Sequence, residues 1–404
     1  MVQARPEHVP PDLVRDFDHV LGAEFAADPF GAYRRARRDR VFWSPHHGGY
    51  WVLTTMADIR EALQRPEHFS NWPTGIPAHV SRRERMVPLE LDPPQHTAYR
   101  RVLAPMFAPK AVAARNAAIE QTCLQLIDAV AAKGGCDFIN EFATPFPTTI
   151  FTNLLGLPGS EADRFVDWNN TLLHKHADPE ARRVAGNEIN DYLRELIARR
   201  HQQPRDDLLS ALLASQVDGR PIERDEVQNI TFMLFVAGLD TVTAGLGFCF
   251  RFLAEHPEHR RQLVEHPELI PSAVEELLRV HAFIHPARTV TADLEFAGVT
   301  MKAGERVLVS TLLASNDPNE FADPLLVRFD RTANRHLAFG AGPHRCAGSH
   351  LARDELATAV RCWHDRIPEY QLAENQTITV HAGGAMGIDR LELVWSDQLR
   401  GVKS

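Results

Sequence analysis

Apolar residues recur every three to four positions through most of the chain, and prolines cut that pattern into segments. The spacing predicts helices over 111–132, 161–174, 181–200 and 260–269. Short apolar runs at 49–54, 306–310 and 390–395 read as strands. These strands are too few and too scattered for a doubly wound sheet. The pattern therefore predicts a mainly α fold with a minor β portion. No repeat, low-complexity tract or flexible linker divides the sequence, so a single domain over 1–404 is expected.

One segment departs from the amphipathic pattern. No proline occurs from Ile222 to His256, and Pro257 closes the run. A helix of that length spans roughly 50 Å at about 1.5 Å per residue. Its middle, Thr231 to Leu239, is apolar all round, which predicts a course through the protein interior. Gly238 lies inside it, at a cost of ~1 kcal/mol relative to alanine, and Asp240 and Thr241 follow. Two explanations fit these residues. One is close helix packing with Asp240 satisfied by a neighbour. The other is a local groove in which an acid and an alcohol face a bound group.

A second segment carries concentrated chemistry. In Phe339-Gly340-Ala341-Gly342-Pro343-His344-Arg345-Cys346-Ala347-Gly348, one cysteine sits in a glycine-rich turn flanked by cations. Ala352, Leu356, Ala359, Val360 and Trp363 then recur at helical spacing, so Cys346 stands just before a helix N-terminus. Exposed N–H groups and the helix dipole favour a thiolate there. Such a thiolate can be a nucleophile, a metal ligand or a redox thiol. The glycines let backbone approach a large flat object closely.

Composition narrows the alternatives. A net charge of −9 supplies no basic excess for nucleic acid. The five cysteines contain no CxxC pair and no disulfide framework; Cys123 and Cys249 fall in apolar helical patterns and read as core. No apolar run reaches the ~18 residues that span a bilayer. The stretch from Met1 to Asp18 is polar and lacks a secretory pattern. A cytoplasmic protein with no membrane anchor is expected.

Phe339 and the Gly342-x-His344-x-Cys346-x-Gly348 spacing make the cysteine segment resemble the haem-binding loop of the cytochrome P-450 family. Ala237-Gly238-Leu239-Asp240-Thr241 is similar to that family's oxygen-activation motif. Leu239-Asp240-Thr241, Phe252-Leu253-Ala254, Pro257-Glu258-His259-Arg260 and Arg366-Ile367-Pro368 resemble its soluble bacterial class, which includes camphor hydroxylase. The resemblance covers nearly the whole chain. It implies a single helical haem domain with haem b between the long helix and the cysteine loop.

The resemblance also implies roles. Cys346 would be the axial thiolate on iron, pushing electron density that favours O–O cleavage, with Phe339, Gly340 and Ala347 beside the cofactor. His96 and Arg100, four apart on one helical face, would join Arg288 and His344 in holding the haem propionates. Thr241 and Asp240 would donate and relay protons. Glu276 and Arg279, an i,i+3 pair, would be tied by Arg331 in a structural network. Substrate contacts would come from Gly75 and Met86 in a loop, from Met233, Val236 and Ala237 on the long helix, and from Ile284, Ala385 and Met386. That lining suits a compact apolar substrate such as a terpenoid.

One departure stands out. Where camphor hydroxylase has a tyrosine that bonds its substrate, the matched residue is Glu84, and Gly75 replaces an aromatic wall residue. The activity implied is monooxygenation with dioxygen, by a monomer taking electrons from an iron–sulfur ferredoxin and its NAD(P)H-dependent reductase. Arg101, Lys110 and Arg345 would attract that acidic partner. Two other readings compete: a haem protein that binds an apolar ligand without turnover, and a thiol enzyme using Cys346 as nucleophile.

Overall fold

A computed structural model describes residues 3–77, 85–174 and 178–395. The chain divides into two compact units. The first comprises 1–97, 275–346 and 380–386; the second comprises 98–274, 347–379 and 387–404. The helices that bear on function are α1 (Met56–Gln64), α2 (Gln95–Leu103), α3 (Asn116–Ala131), α4 (Pro179–Gln202), α5 (Arg224–Glu255), α6 (Ile270–Val280) and α7 (Ser349–Arg366).

The first unit is built on a mixed sheet of five strands, β1 (Val41–Ser44), β2 (Tyr50–Leu53), β3 (Phe69–Ser70), β4 (Ala287–Val290) and β5 (Arg306–Val309). Their order is β1-β2-β5-β4-β3. Only β5 and β2 run parallel, with Val307 opposite Trp51 and Leu308 opposite Val52. Every residue of β1 and β2 is buried, which explains why both read as continuous apolar runs and not as alternation. Beside this sheet, Phe17 meets Phe25, Phe42 and Tyr33 edge-on at 5.0, 5.1 and 5.5 Å between ring centroids.

The second unit is helical around α5. Nineteen residues of α5 are buried, among them Phe235, Leu246, Phe248, Phe250 and Leu253. The most apolar 18-residue window of α5 is 72% buried inside the protein, so its bilayer-like composition serves a core. Glu223 and Glu226 form a capping box at its start, and Pro257 follows its C-cap, His256. Phe138, Phe142 and Phe250 pack edge-on around the buried Trp363 of α7 at 5.1, 5.1 and 5.4 Å. A small sheet of Gln371–Leu372, Glu392–Val394 and Gly135–Asp137 closes this unit.

The predicted helices are present with shifted ends. Residues 111–132 form two pieces, Pro109–Ala113 and Asn116–Ala131. Residues 161–174 start as an α-helix, Ala162–Asn169, and loosen into a π-helical turn at Asn170–His174. Over 260–269 the helix runs Pro257–Glu265, because proline suits a first helical position, and Pro267 starts a separate 3-10 turn.

Candidate functional site

Cys346 is an exposed, unbridged thiol, while the other four cysteines are buried. Its N–H donates to the Phe339 carbonyl at 2.9 Å, closing the 339–346 stretch into a tight loop. Two glycines make that loop possible. Gly342 has φ +67°, and a Cβ there would lie 2.2 Å from the Leu63 carbonyl oxygen at the end of α1. Gly340 has φ +68°, yet no atom lies within 4 Å of where its Cβ would be. One glycine is thus required by close approach and conformation, the other by conformation beside open ground. Ala347 and Gly348 lead into α7, whose first residue is Ser349.

Around this loop the first unit gathers cations and imidazoles. His96 on α2 is 2% exposed, and its ring stands 4.0 Å from that of His344. Asn71 Nδ2 donates to His344 Nδ1 at 3.3 Å, and the Asn71 N–H donates to Asp92 at 2.9 Å. Arg100 follows His96 by one turn of α2 and is half-buried, but it belongs to the second unit. Arg288 on β4 is 3% exposed. Among the described residues its guanidinium donates one hydrogen bond, to the Ala287 carbonyl at 2.9 Å, and makes no ion pair. Burial draws its pKa down to about 10, with Asp92 opposing. A buried cation without an anionic partner is costly, so this one suits a carboxylate carried by a bound group.

Glu276, Arg279 and Arg331 come together in one cluster of the first unit. Arg279 grips both oxygens of Glu276 at 2.8 Å, and Arg331 Nε reaches them at 3.0 and 3.1 Å. Glu276 and Arg279 are each 0% exposed. Two further donors were not foreseen: Asn334 Nδ2 at 3.1 Å and the Arg328 N–H at 3.0 Å. Burial pushes the Glu276 carboxyl up, but the two guanidinium groups and these donors outweigh it and hold it below the usual range.

The loop and turn residues also lie within the first unit. Ile284 bridges Ala385, and the N–H of Met386 donates to Phe283 at 2.9 Å. Met86 is buried, and its N–H donates to Glu90 at 2.9 Å. The Gly75 carbonyl accepts from Arg306 at 2.8 Å. Glu84 lies outside the described residues.

In the second unit, α5 opens where its sequence predicted either packing or a groove. Ala237 and Gly238 are exposed in the middle of this largely buried helix, and no atom lies within 4 Å of a Cβ placed on Gly238. The packing explanation therefore does not hold for that glycine. Thr241, three residues on, shares the open strip and is half-buried; its hydroxyl donates to the Ala237 carbonyl at 3.0 Å. Val236 is half-buried and Met233 is 7% exposed. Asp240 lies about 100° further round the helix and is 8% exposed, on the packed side and not on the strip.

The donor set fits a haem. A soft thiol is exposed beside a helix start, a glycine face beside it is clear, and a buried guanidinium makes no ion pair among the described residues. The residues that sequence reasoning missed here, Asn71, Asn334 and Arg306, act through backbone groups or another side chain and carry no motif.

A family model described as "Cytochrome P450" matches residues 40–362. A relative named "Probable cytochrome P450 127A1" from Sinorhizobium fredii is 35% identical over 402 residues, covering 97% of each chain. "Mycinamicin IV hydroxylase/epoxidase" from Micromonospora griseorubida is 33% identical over 361 residues, 87% of each chain. Among solved structures, cytochrome P450 CYP101C1 superposes with a TM-score of 0.91 at 32% identity, over 97% of this chain and 100% of that one.

Proposed function

From the premise that this chain belongs to the cytochrome P450 family, and is a haem-containing monooxygenase, we propose the residues and substrate class through which it works. Haem bound through a cysteine thiolate supplies the electron-rich iron at which dioxygen is activated. Cys346 Sγ would hold its iron, Arg288, His96, Arg100 and His344 would hold its carboxylates, and Phe339, Gly340 and Ala347 would lie against it. We take both units as parts of one haem domain over 1–404.

The remaining chemistry is proton management. Among the described residues Thr241 Oγ1 donates its proton only to the Ala237 carbonyl, and rotation about one bond presents it to the open strip. The Asp240 carboxyl, one residue away and packed, replaces that proton from the protein side. Glu276, Arg279 and Arg331 act as a buried brace with no part in the reaction.

The substrate we propose is compact and apolar, of terpenoid type. Met86, Met233, Val236, Ala237, Ile284, Ala385 and Met386 offer hydrocarbon and thioether surface, and Gly75 offers none. Electrons come from an iron–sulfur ferredoxin reduced by an NAD(P)H-dependent enzyme, approaching through Arg101, Lys110 and Arg345. A monomer in the cytoplasm completes this reading.

The observation that carries it is the open strip at Ala237, Gly238 and Thr241 midway along a helix with nineteen buried residues. A ferric spectral-shift screen of terpenoids, followed by turnover with ferredoxin, reductase and NADH, tests it. Oxygenated product is expected from the tightest-binding terpenoids. Ligands that shift the spectrum but are never oxygenated would favour a binding protein instead.

A further inference from the structure

The stretch Trp72–Gly75 has no regular secondary structure, yet each of its four carbonyls is held by β4 or β5. Thr289 Oγ1 donates to the Trp72 carbonyl at 2.7 Å, and the Ala287 N–H donates to Thr74 at 2.8 Å. The other two belong to one side chain. Arg306 Nη2 donates to Pro73 at 2.6 Å and to Gly75 at 2.8 Å. Arg306 stands opposite Thr289 in the antiparallel β4–β5 ladder, so both side chains reach the same segment. At the other end of the stretch, the Arg85 guanidinium lies 5.1 Å from the centre of the Trp72 ring.

This arrangement answers a mechanical need. Backbone carbonyls outside a helix or sheet must find donors, and Gly75 has more conformational freedom than any other residue type. A charged, planar donor bonded to two carbonyls removes that freedom better than a neutral one. Among the described residues the Arg306 Nε has no hydrogen-bond partner, and burial draws the guanidinium pKa down to about 10 against the pull of Glu90. A group kept charged under those conditions has its function in the bonds it does make.

We propose that Arg306 is a positioning residue that sets substrate fit by clamping the carbonyls of Pro73 and Gly75. It touches neither substrate nor cofactor; it fixes the backbone from which the substrate wall is made. The proposal rests on the reading above that Gly75 meets the substrate.

The test uses ferric holoprotein and two azole probes, imidazole and the bulkier 4-phenylimidazole. In Arg306→Ala, amide hydrogen exchange across residues 72–77 should accelerate about tenfold or more, while α5 and α7 exchange as before. Affinity for 4-phenylimidazole should fall about tenfold relative to imidazole, with the thiolate-type reduced carbon monoxide spectrum retained. Arg306→Lys keeps the charge but not the flat fork, and should behave like the alanine variant. Should Arg306→Ala yield no holoprotein, Arg306→Gln carries the same expectations.

Unchanged exchange at 72–77, an unchanged azole ratio, or full recovery by lysine would each overturn the clamp. Exchange that rises equally throughout the chain would overturn it too, by reducing Arg306 to a general structural role. A parent protein without the thiolate spectrum would instead remove the functional reading on which the proposal stands.

Discussion

Thr241 spends its proton on the Ala237 carbonyl at 3.0 Å, a bond any better acceptor on the open strip can take over. Replacing it by alanine removes the proton but leaves the strip. Thr241→Ala should therefore keep oxidising NADH while the peroxide released per NADH rises severalfold. An unchanged ratio would remove Thr241 from proton delivery. Residues of this kind were legible because their spacing is fixed locally: Cys346 within its ten-residue loop, Asp240 and Thr241 after Gly238. Burial separates the last two: Thr241 is half-buried on the strip, whereas Asp240 is 8% exposed and packed. Arg306 and Asn334 were not legible, because their partners lie 231 and 58 residues away. A bond to a backbone carbonyl leaves no residue type to look for at the other end.

At the scale of elements, the brace on α6 shows how one carboxylate can order a long loop. Glu276 accepts from two guanidinium groups, one amide side chain and one backbone N–H, while Arg279 also bonds the carbonyls of Ser315 and Pro324 at 3.1 and 2.7 Å. Removing the acid leaves two buried cations and the loop's donors unmatched. Glu276→Ala should destabilise the protein by about 3–5 kcal/mol in a denaturant melt. A loss under about 1 kcal/mol would place the trio with ordinary surface pairs. The helices themselves were readable from apolar period and proline position, and α5 was bounded to within two residues of Arg224–Glu255. Strand β4 was not, because Ala287-Arg288-Thr289-Val290 has no apolar run; its burial comes from its neighbours β5 and β3. Pairing, and not composition, made it a strand.

For the whole molecule, buried histidines tie stability to pH. Burial lowers the pKa of His19 and His364 to about 3, and that of His285 well below its ordinary value. Below pH ~6.5 the unfolded chain takes up protons that the folded chain refuses, so stability is full above that value and falls toward pH ~3. The slope is about 1.4 kcal/mol per pH unit for each such histidine. Glu226, held at about 2 chiefly by Arg220, adds its loss only below the ordinary carboxylate value of 4.5. Urea midpoints should therefore drop clearly between pH 7 and pH 5; equal midpoints would contradict the burial of these rings. The division into two units had no sequence signal: residues 380–386 join the first unit while both flanks belong to the second. Such an excursion is a matter of long-range contact, with no linker composition to mark it. The central claim is that Cys346 supplies the sulfur that holds haem iron. It is tested most directly by the reduced carbon monoxide spectrum of the purified protein beside that of Cys346→Ala. The account predicts the thiolate-type band in the first and its loss in the second; the same band in both would contradict it.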